Sequence, residues 1–350
     1  MSNRIKLIDV AKGISIIMVV FSHTKLTSYI PDVHQAMSLF RMPLFFFLSG
    51  VFFSVSTSPA AYIARKSEAL LKPYFVTLFI MLFISALSGQ EAILWQIKGV
   101  LYGNGVTIGV PWAPLWFLTH LWCLFITAYF LFHYTSLQSR SNFIKIFFTI
   151  IMVVAGSYSV DTFWYLQVPI ANSEIELPGL PFSMDIIPLS MAFFITGAFL
   201  NKNIRSFKPD PFVFMVSICA FVLIAINTGA VIDLNRRVYT EPAYATFAAI
   251  TGIYIILSIS YGLCKSPILT RGVIFFGTAS LFILIFHMVI SEKTYHVLNY
   301  LSGSNYQFAC AFVAFIASII VPVFIQKHML RNAVLKRLYF PLKSYGAIKK

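Results

Sequence analysis

Ten apolar runs, each about twenty residues long and separated by short polar breaks, dominate this sequence. A run of that length crosses the hydrocarbon of a bilayer as one helix. The runs fall at about 12–30, 37–56, 73–89, 113–134, 143–160, 182–201, 211–228, 243–263, 274–292 and 308–328. Proline marks many of the joints, as at Pro31, Pro59, Pro73, Pro111, Pro178, Pro209, Pro242 and Pro267. Residues within a run do not alternate between apolar and polar, which excludes a membrane β-barrel. With 59% hydrophobic residues and 11% charged residues, the chain has more apolar surface than a soluble core of its size can bury. The expected fold is all-α, a polytopic membrane helix bundle of about ten transmembrane helices. The first run lacks a small-x-small cleavage site, so it is expected to be a retained span.

Charge gives the orientation. Twenty of the 26 Lys and Arg fall on one side of the expected membrane, counting both ends of the chain, and six fall on the other. By the positive-inside rule both termini are cytoplasmic. The carboxylates Asp32, Glu91, Asp161, Glu174, Glu176, Asp185, Asp233, Glu241 and Glu292 gather at the opposite, outer face. The net charge of +14 is read as this orientation signal and as attraction to anionic membrane lipids, with no nucleic acid as partner. Residues 1–330 are expected to form one integral membrane domain and 331–350 a basic cytoplasmic tail lying on the inner leaflet. The four cysteines lie in or beside separate apolar runs without CxxC spacing, and no metal site is expected.

Ionisable groups at membrane depth are costly and read first as functional. His23 sits in KGISIIMVVFSHTKL with Lys12 eleven residues before it. In a continuous helix that spacing returns to within about 20° of the same face, roughly 16 Å lower. His287 and His120 are expected at a similar depth, about two thirds of the way out. Ser280, His287 and Ser291 share one helix face, as do Trp112, Trp116 and His120. For each of these His residues the competing role is an interhelical hydrogen bond. Arg41, in FRMPLFFFLSGVFF, is expected just inside the outer boundary. It either snorkels to headgroups or faces inward to hold an anion or a sugar hydroxyl.

The combination of IDVAKGISIIMVVFSH, FRMPLFFFLSGVFF, PLWFL and SLFILIFH, in that order, resembles the acyltransferase-3 family of multi-pass membrane O-acyltransferases. The nearest likeness is to its fucose 4-O-acetylase-like branch, which modifies bacterial surface glycans. Lys12 and His23 match the family's basic residue, ten intervening positions and His. The family's Arg-x-x-Arg pair is missing, because the segment reads ARKSEALLKPYF. The resemblance implies a multi-pass protein of the bacterial inner membrane. It implies transfer of an acetyl or other acyl group from cytoplasmic acetyl-CoA, a donor and not a bound cofactor, to a hydroxyl of a lipid-linked or polymeric glycan. It makes His23 the catalytic base, or alternatively the carrier of an acetyl-His intermediate, with His287 orienting it or binding acceptor. Lys12, Arg65, Lys66 and Lys72 become candidates for the coenzyme phosphates, and Arg41, Trp116 and His120 for the acceptor.

The alternative from another class is a transporter or flippase of a lipid-linked glycan. It fits the span count, but the sequence has no inverted repeat and few acidic residues at the midplane. A polymerase or ligase would carry a large outer domain, and no loop is long enough for one.

Overall fold

Residues 6–342, except 56, 89–92 and 171–172, are described by a computed structural model of the chain. Arg4, Glu91, Lys343, Lys349 and Lys350 of the charge pattern lie outside the described residues. In chain order the helices are α1 (Lys6–Ser22), α2 (Pro31–Val51), α3 (Pro59–Lys66), α4 (Lys72–Leu87), α5 (Ile93–Tyr102), α6 (Gly105–Ile108), α7 (Trp116–Thr135), α8 (Asn142–Thr162), α9 (Ile187–Phe199), α10 (Asn201–Arg205), α11 (Pro211–Asn227), α12 (Pro242–Leu263), α13 (Pro267–Thr278), α14 (Ser280–Ser302), α15 (Gln307–Arg331) and α16 (Ala333–Tyr339). Two antiparallel hairpins lie between helices. One pairs β1 (Trp164–Ile170) with β2 (Ser173–Pro178), the other β3 (Val231–Asp233) with β4 (Val238–Thr240).

Each of the ten expected spans overlaps a helix. Among the described residues, seven helical segments are long and apolar enough to cross a membrane, the longest being Pro59–Leu87 and Gln307–Arg331. The shorter Pro211–Asn227 is also apolar. Of the helices over the expected spans, α1 is also short, with 17 residues, and carries Lys6, Asp9 and Lys12, while α2 carries Asp32, His34 and Arg41. Lipid explains the outer surfaces. Along α8, Phe143, Ile146, Phe147, Ile150 and Tyr158 are all exposed. A continuous apolar face of that kind is stable against hydrocarbon and not against water. The chain is a multi-pass, all-α membrane protein.

The expected edges need three corrections. α1 stops at Ser22, well short of residue 30. Hydroxyls end it: Ser22 Oγ donates to Val19 O, Thr24 Oγ1 to Phe21 O and Thr27 Oγ1 to Thr24 O. Such side-chain bonds compete with the helical ladder, and the chain turns into a 3-10 segment over Lys25–Ser28. The basic segment before the third span is helical, because Pro59 opens α3 at a position that needs no N–H. A π turn over Ser67–Leu71 joins α3 to α4. The ninth span is broken at Ala279, between α13 and α14. The loops at about 90–112 and 161–181 hold α5, α6 and the first hairpin.

The chain forms two compact units. One comprises Met1–Phe52 with Phe193–Gln326, and the other Phe53–Ala192 with Lys327–Lys350. The first is built around α1, which packs against α2, α12, α13 and α14. Close approach depends on absent side chains. A Cβ on Gly13 would strike the backbone carbonyl of Val273 on α13, and one on Gly50 that of Phe194 on α9. Membrane helices lack a hydrophobic drive toward one another, so such small-residue contacts are a main source of packing energy. Gly13→Leu is therefore expected to cost about 1–3 kcal/mol or more by forcing α1 off α13. The thermal midpoint of the detergent-solubilised protein should fall. Gly262→Ala, at a position with nothing within 4 Å, should leave it unchanged.

Candidate active site

His23 is the first residue beyond α1. Its backbone N–H donates to Val20 O at 3.0 Å, closing the last turn. The turn is fixed on both sides by apolar anchors. Phe21 and Leu26 are buried against Ala311, with Met37, Tyr295 and Phe315 packed around them. Phe21 meets Phe315 edge-on at 6.1 Å. Between these anchors the His23 side chain is accessible, although protein surrounds it closely. The imidazole is thus not lodged in packed core.

His287 lies against it, with ring centroids 5.3 Å apart and planes tilted by 53°. The two rings are therefore neighbours. His287 is fully buried. Its Nδ1 faces the carbonyls of Ile283 at 2.9 Å and Leu284 at 3.0 Å. Carbonyls only accept, so Nδ1 carries the proton and Nε2 the lone pair. That Nε2 is buried and has no hydrogen-bond partner among the described residues.

Around this pair the first unit gathers more charge. Arg41 and His34, two turns apart on α2, lie within electrostatic range of His23, and Asp233 lies within range of both. Arg41 has a buried Nη1 without a partner among the described residues. Lys12 is half-buried, with its ammonium 4.1 Å from the centre of the Phe52 ring. Because α1 ends at Ser22, Lys12 and His23 do not share a continuous helix face. Ser49, a hydroxyl two turns from Arg41, is turned back onto Phe45 O.

The family model described as an acyltransferase domain matches residues 5–325, most of the chain. The protein belongs to the acyltransferase-3 family. No curated protein and no solved structure matches it. Membership makes this chain a membrane acyltransferase.

The second unit of the acyltransferase holds the other expected site residues. His120 is fully buried on α7, with Nδ1 3.0 Å from Ser183 O and Nε2 3.0 Å from Ser190 Oγ. Both ring nitrogens are engaged, the geometry of an interhelical pin. Trp116 is buried beside it, with ring centroids 5.8 Å apart. The cations of the basic segment also have local partners. Lys66 Nζ lies 3.1 Å from the centre of the Phe125 ring, and the Arg65 guanidinium 5.3 Å from that of Tyr62. Lys72 Nζ donates to Phe340 O at 2.5 Å. Trp122 Nε1 donates to Ser67 Oγ at 2.9 Å and ties α7 to the π turn. A π turn is a common marker of functional segments. Among the described residues no group of three or more His, Cys, Asp or Glu is arranged to hold a metal ion.

Sequence reasoning missed the hairpin of β3 and β4, which packs on α2. Its signal was present: two short β-branched runs, VID and VYT, flank the turn-forming LNRR. Ile232, Leu234 and Tyr239 bury its apolar side. The Tyr239 hydroxyl donates to Pro242 O at 3.1 Å. Burial pushes its phenol pKa up, and the hydrogen bond with Thr246 opposes that shift.

Proposed function

We propose that this acyltransferase moves an acetyl group from cytoplasmic acetyl-CoA to a hydroxyl of a cell-surface glycan, with His23 as general base. The carrying observation is the pair of imidazoles, one accessible and one buried with a fixed tautomer. Neutral His23 takes the proton of the acceptor hydroxyl while its oxygen attacks the thioester carbonyl. The tetrahedral intermediate collapses, the C–S bond breaks, and His23 passes its proton to the departing coenzyme sulfur, which leaves as the thiol. An imidazole used this way is catalytic over one turnover and needs no bound cofactor.

Lys12 in one unit and Arg65, Lys66 and Lys72 in the other are separate candidates for the coenzyme phosphates. The positive-inside pattern assigns all four to the cytoplasmic side, where the coenzyme is. Arg65 and Lys66 lie over aromatic rings, and a guanidinium and an ammonium both suit phosphate oxygens. Arg41 is the first unit's candidate for the acceptor, and Trp116 and His120 are the second's. With both its nitrogens engaged, His120 would act there by holding α7. The glycan acceptor, the fucose 4-O-acetylase-like likeness and the bacterial inner membrane belong to this reading.

The test uses the full chain in nanodiscs, acetyl-CoA labelled in the acetyl group, and surface polysaccharide of the producing cell stripped of its esters by mild base. Label should appear on the polysaccharide in base-labile form, one acetyl per coenzyme released. Competition with succinyl-CoA reads the acyl preference. Movement of lipid-linked glycan across vesicles without acetyl-CoA, and no label on polysaccharide, would mean a flippase instead.

A further inference from the structure

We infer that the turn of the β3–β4 hairpin and the outer half of α2 form a saccharide site that grips neighbouring hydroxyls of the acceptor. This rests on the reading of the acceptor as a glycan. His34, Ser38 and Arg41 fall at i, i+4 and i+7, on one face of α2. β3 packs along that helix. Asp233, at the end of β3, lies within electrostatic range of both His34 and Arg41.

The hydrogen-bond inventory defines the ligand. Asp233 Oδ1 accepts from the N–H groups of Asn235 and Arg236, both at 3.1 Å. Its Oδ2 stands 4.0 Å from Arg236 Nε. The carboxylate is thus committed to shaping the turn and leaves Arg41 its field. Arg237 is buried in left-handed backbone conformation, with φ of 54°, and its Nη1 donates to Asn235 O at 3.0 Å. The turn is therefore held rigid with the Asn235 side chain unspent. On this helix face and turn, two buried atoms have no partner among the described residues: the donor Arg41 Nη1 and the acceptor Asn235 Oδ1. Leaving such groups unsatisfied is costly, so each calls for a partner from outside the protein.

Hydroxyls suit both atoms: one accepts from Arg41, and a neighbour on the same saccharide donates to Asn235. A phosphate or carboxylate would satisfy Arg41 but would bring no donor for Asn235 Oδ1 and would carry its charge toward Asp233. The site accordingly takes a polyol and not an anion. The imidazole of His34, half-buried on the same face, adds a donor or acceptor for a second hydroxyl.

Binding tests this apart from catalysis. Oligosaccharides from the base-stripped surface polysaccharide are titrated into the full-length protein in detergent, with thermal unfolding followed in parallel. Asn235→Ala should weaken binding more than 10-fold. It should not lower the thermal midpoint, because the atom removed makes no bond in the free protein. Arg41→Gln should weaken binding similarly, and both should raise the polysaccharide KM in the transfer assay. Equal affinity of Asn235→Ala and wild type would overturn the inference, as would a loss of binding that tracks a loss of folding. Binding abolished by Arg41→Gln alone, with steep salt dependence, would make the site an anion clamp and also overturn it. Oligosaccharide that binds wild type but is never acetylated would instead fault the proposed reaction and leave the saccharide site standing.

Discussion

His23→Ala is expected to lower acyl transfer by about 100- to 10,000-fold, the usual contribution of a positioned general base. The protein should still insert, purify and unfold at the wild-type temperature. His23 stands outside α1 and makes its ordered backbone bond to Val20 through a group that alanine retains. Phe21 and Leu26, not the imidazole, anchor the turn. The variant therefore separates chemistry from folding. Transfer is measured as labelled acetate on polysaccharide, with coenzyme release followed alongside. A wild-type rate in His23→Ala would remove His23 from the mechanism. Rapid acid quench distinguishes direct attack from an acetyl-His carrier: direct attack leaves no label on the protein at any time, whereas a carrier accumulates it before acceptor is added.

Much of this was legible in the sequence because membrane physics leaves few options. Backbone groups in hydrocarbon must be satisfied within the segment, so long apolar runs become helices. Every expected span overlaps one, and the acyltransferase family follows from four motifs carried on them. What failed was local and polar. The end of α1 was invisible to hydropathy, because VVFSHTKL remains apolar enough to continue a span. Hydroxyl back-bonding at Ser22, Thr24 and Thr27 decided it instead. The meeting of His23 and His287 was foreseen only as a common depth. That they touch depends on α1 and α14 being neighbours, which no spacing within either segment encodes. The hairpin at Val231–Thr240 lies between two strong hydrophobic signals, where hydropathy alone marks only a break between spans.

His287 should act through His23, and its replacement separates that role from packing. The Ile283 and Leu284 carbonyls fix the proton on Nδ1. Nε2 then offers a lone pair that no described residue uses, beside the ring of His23. An N–H of His23 directed there would leave the other nitrogen of His23 unprotonated, as a base requires. When His23 gains the acceptor's proton, the same bond becomes charge-assisted and strengthens. His287→Phe keeps a ring of similar volume in a fully buried position but removes the acceptor. It is expected to lower kcat about 10- to 100-fold, with both KM values little changed, since the bond matters most when His23 is charged. His287→Gln restores an acceptor oxygen and should recover part of the loss. A packing role alone would give the opposite order, with Phe the better replacement. Full kcat in His287→Phe would reduce His287 to a bundle histidine and leave His23 to work unaided.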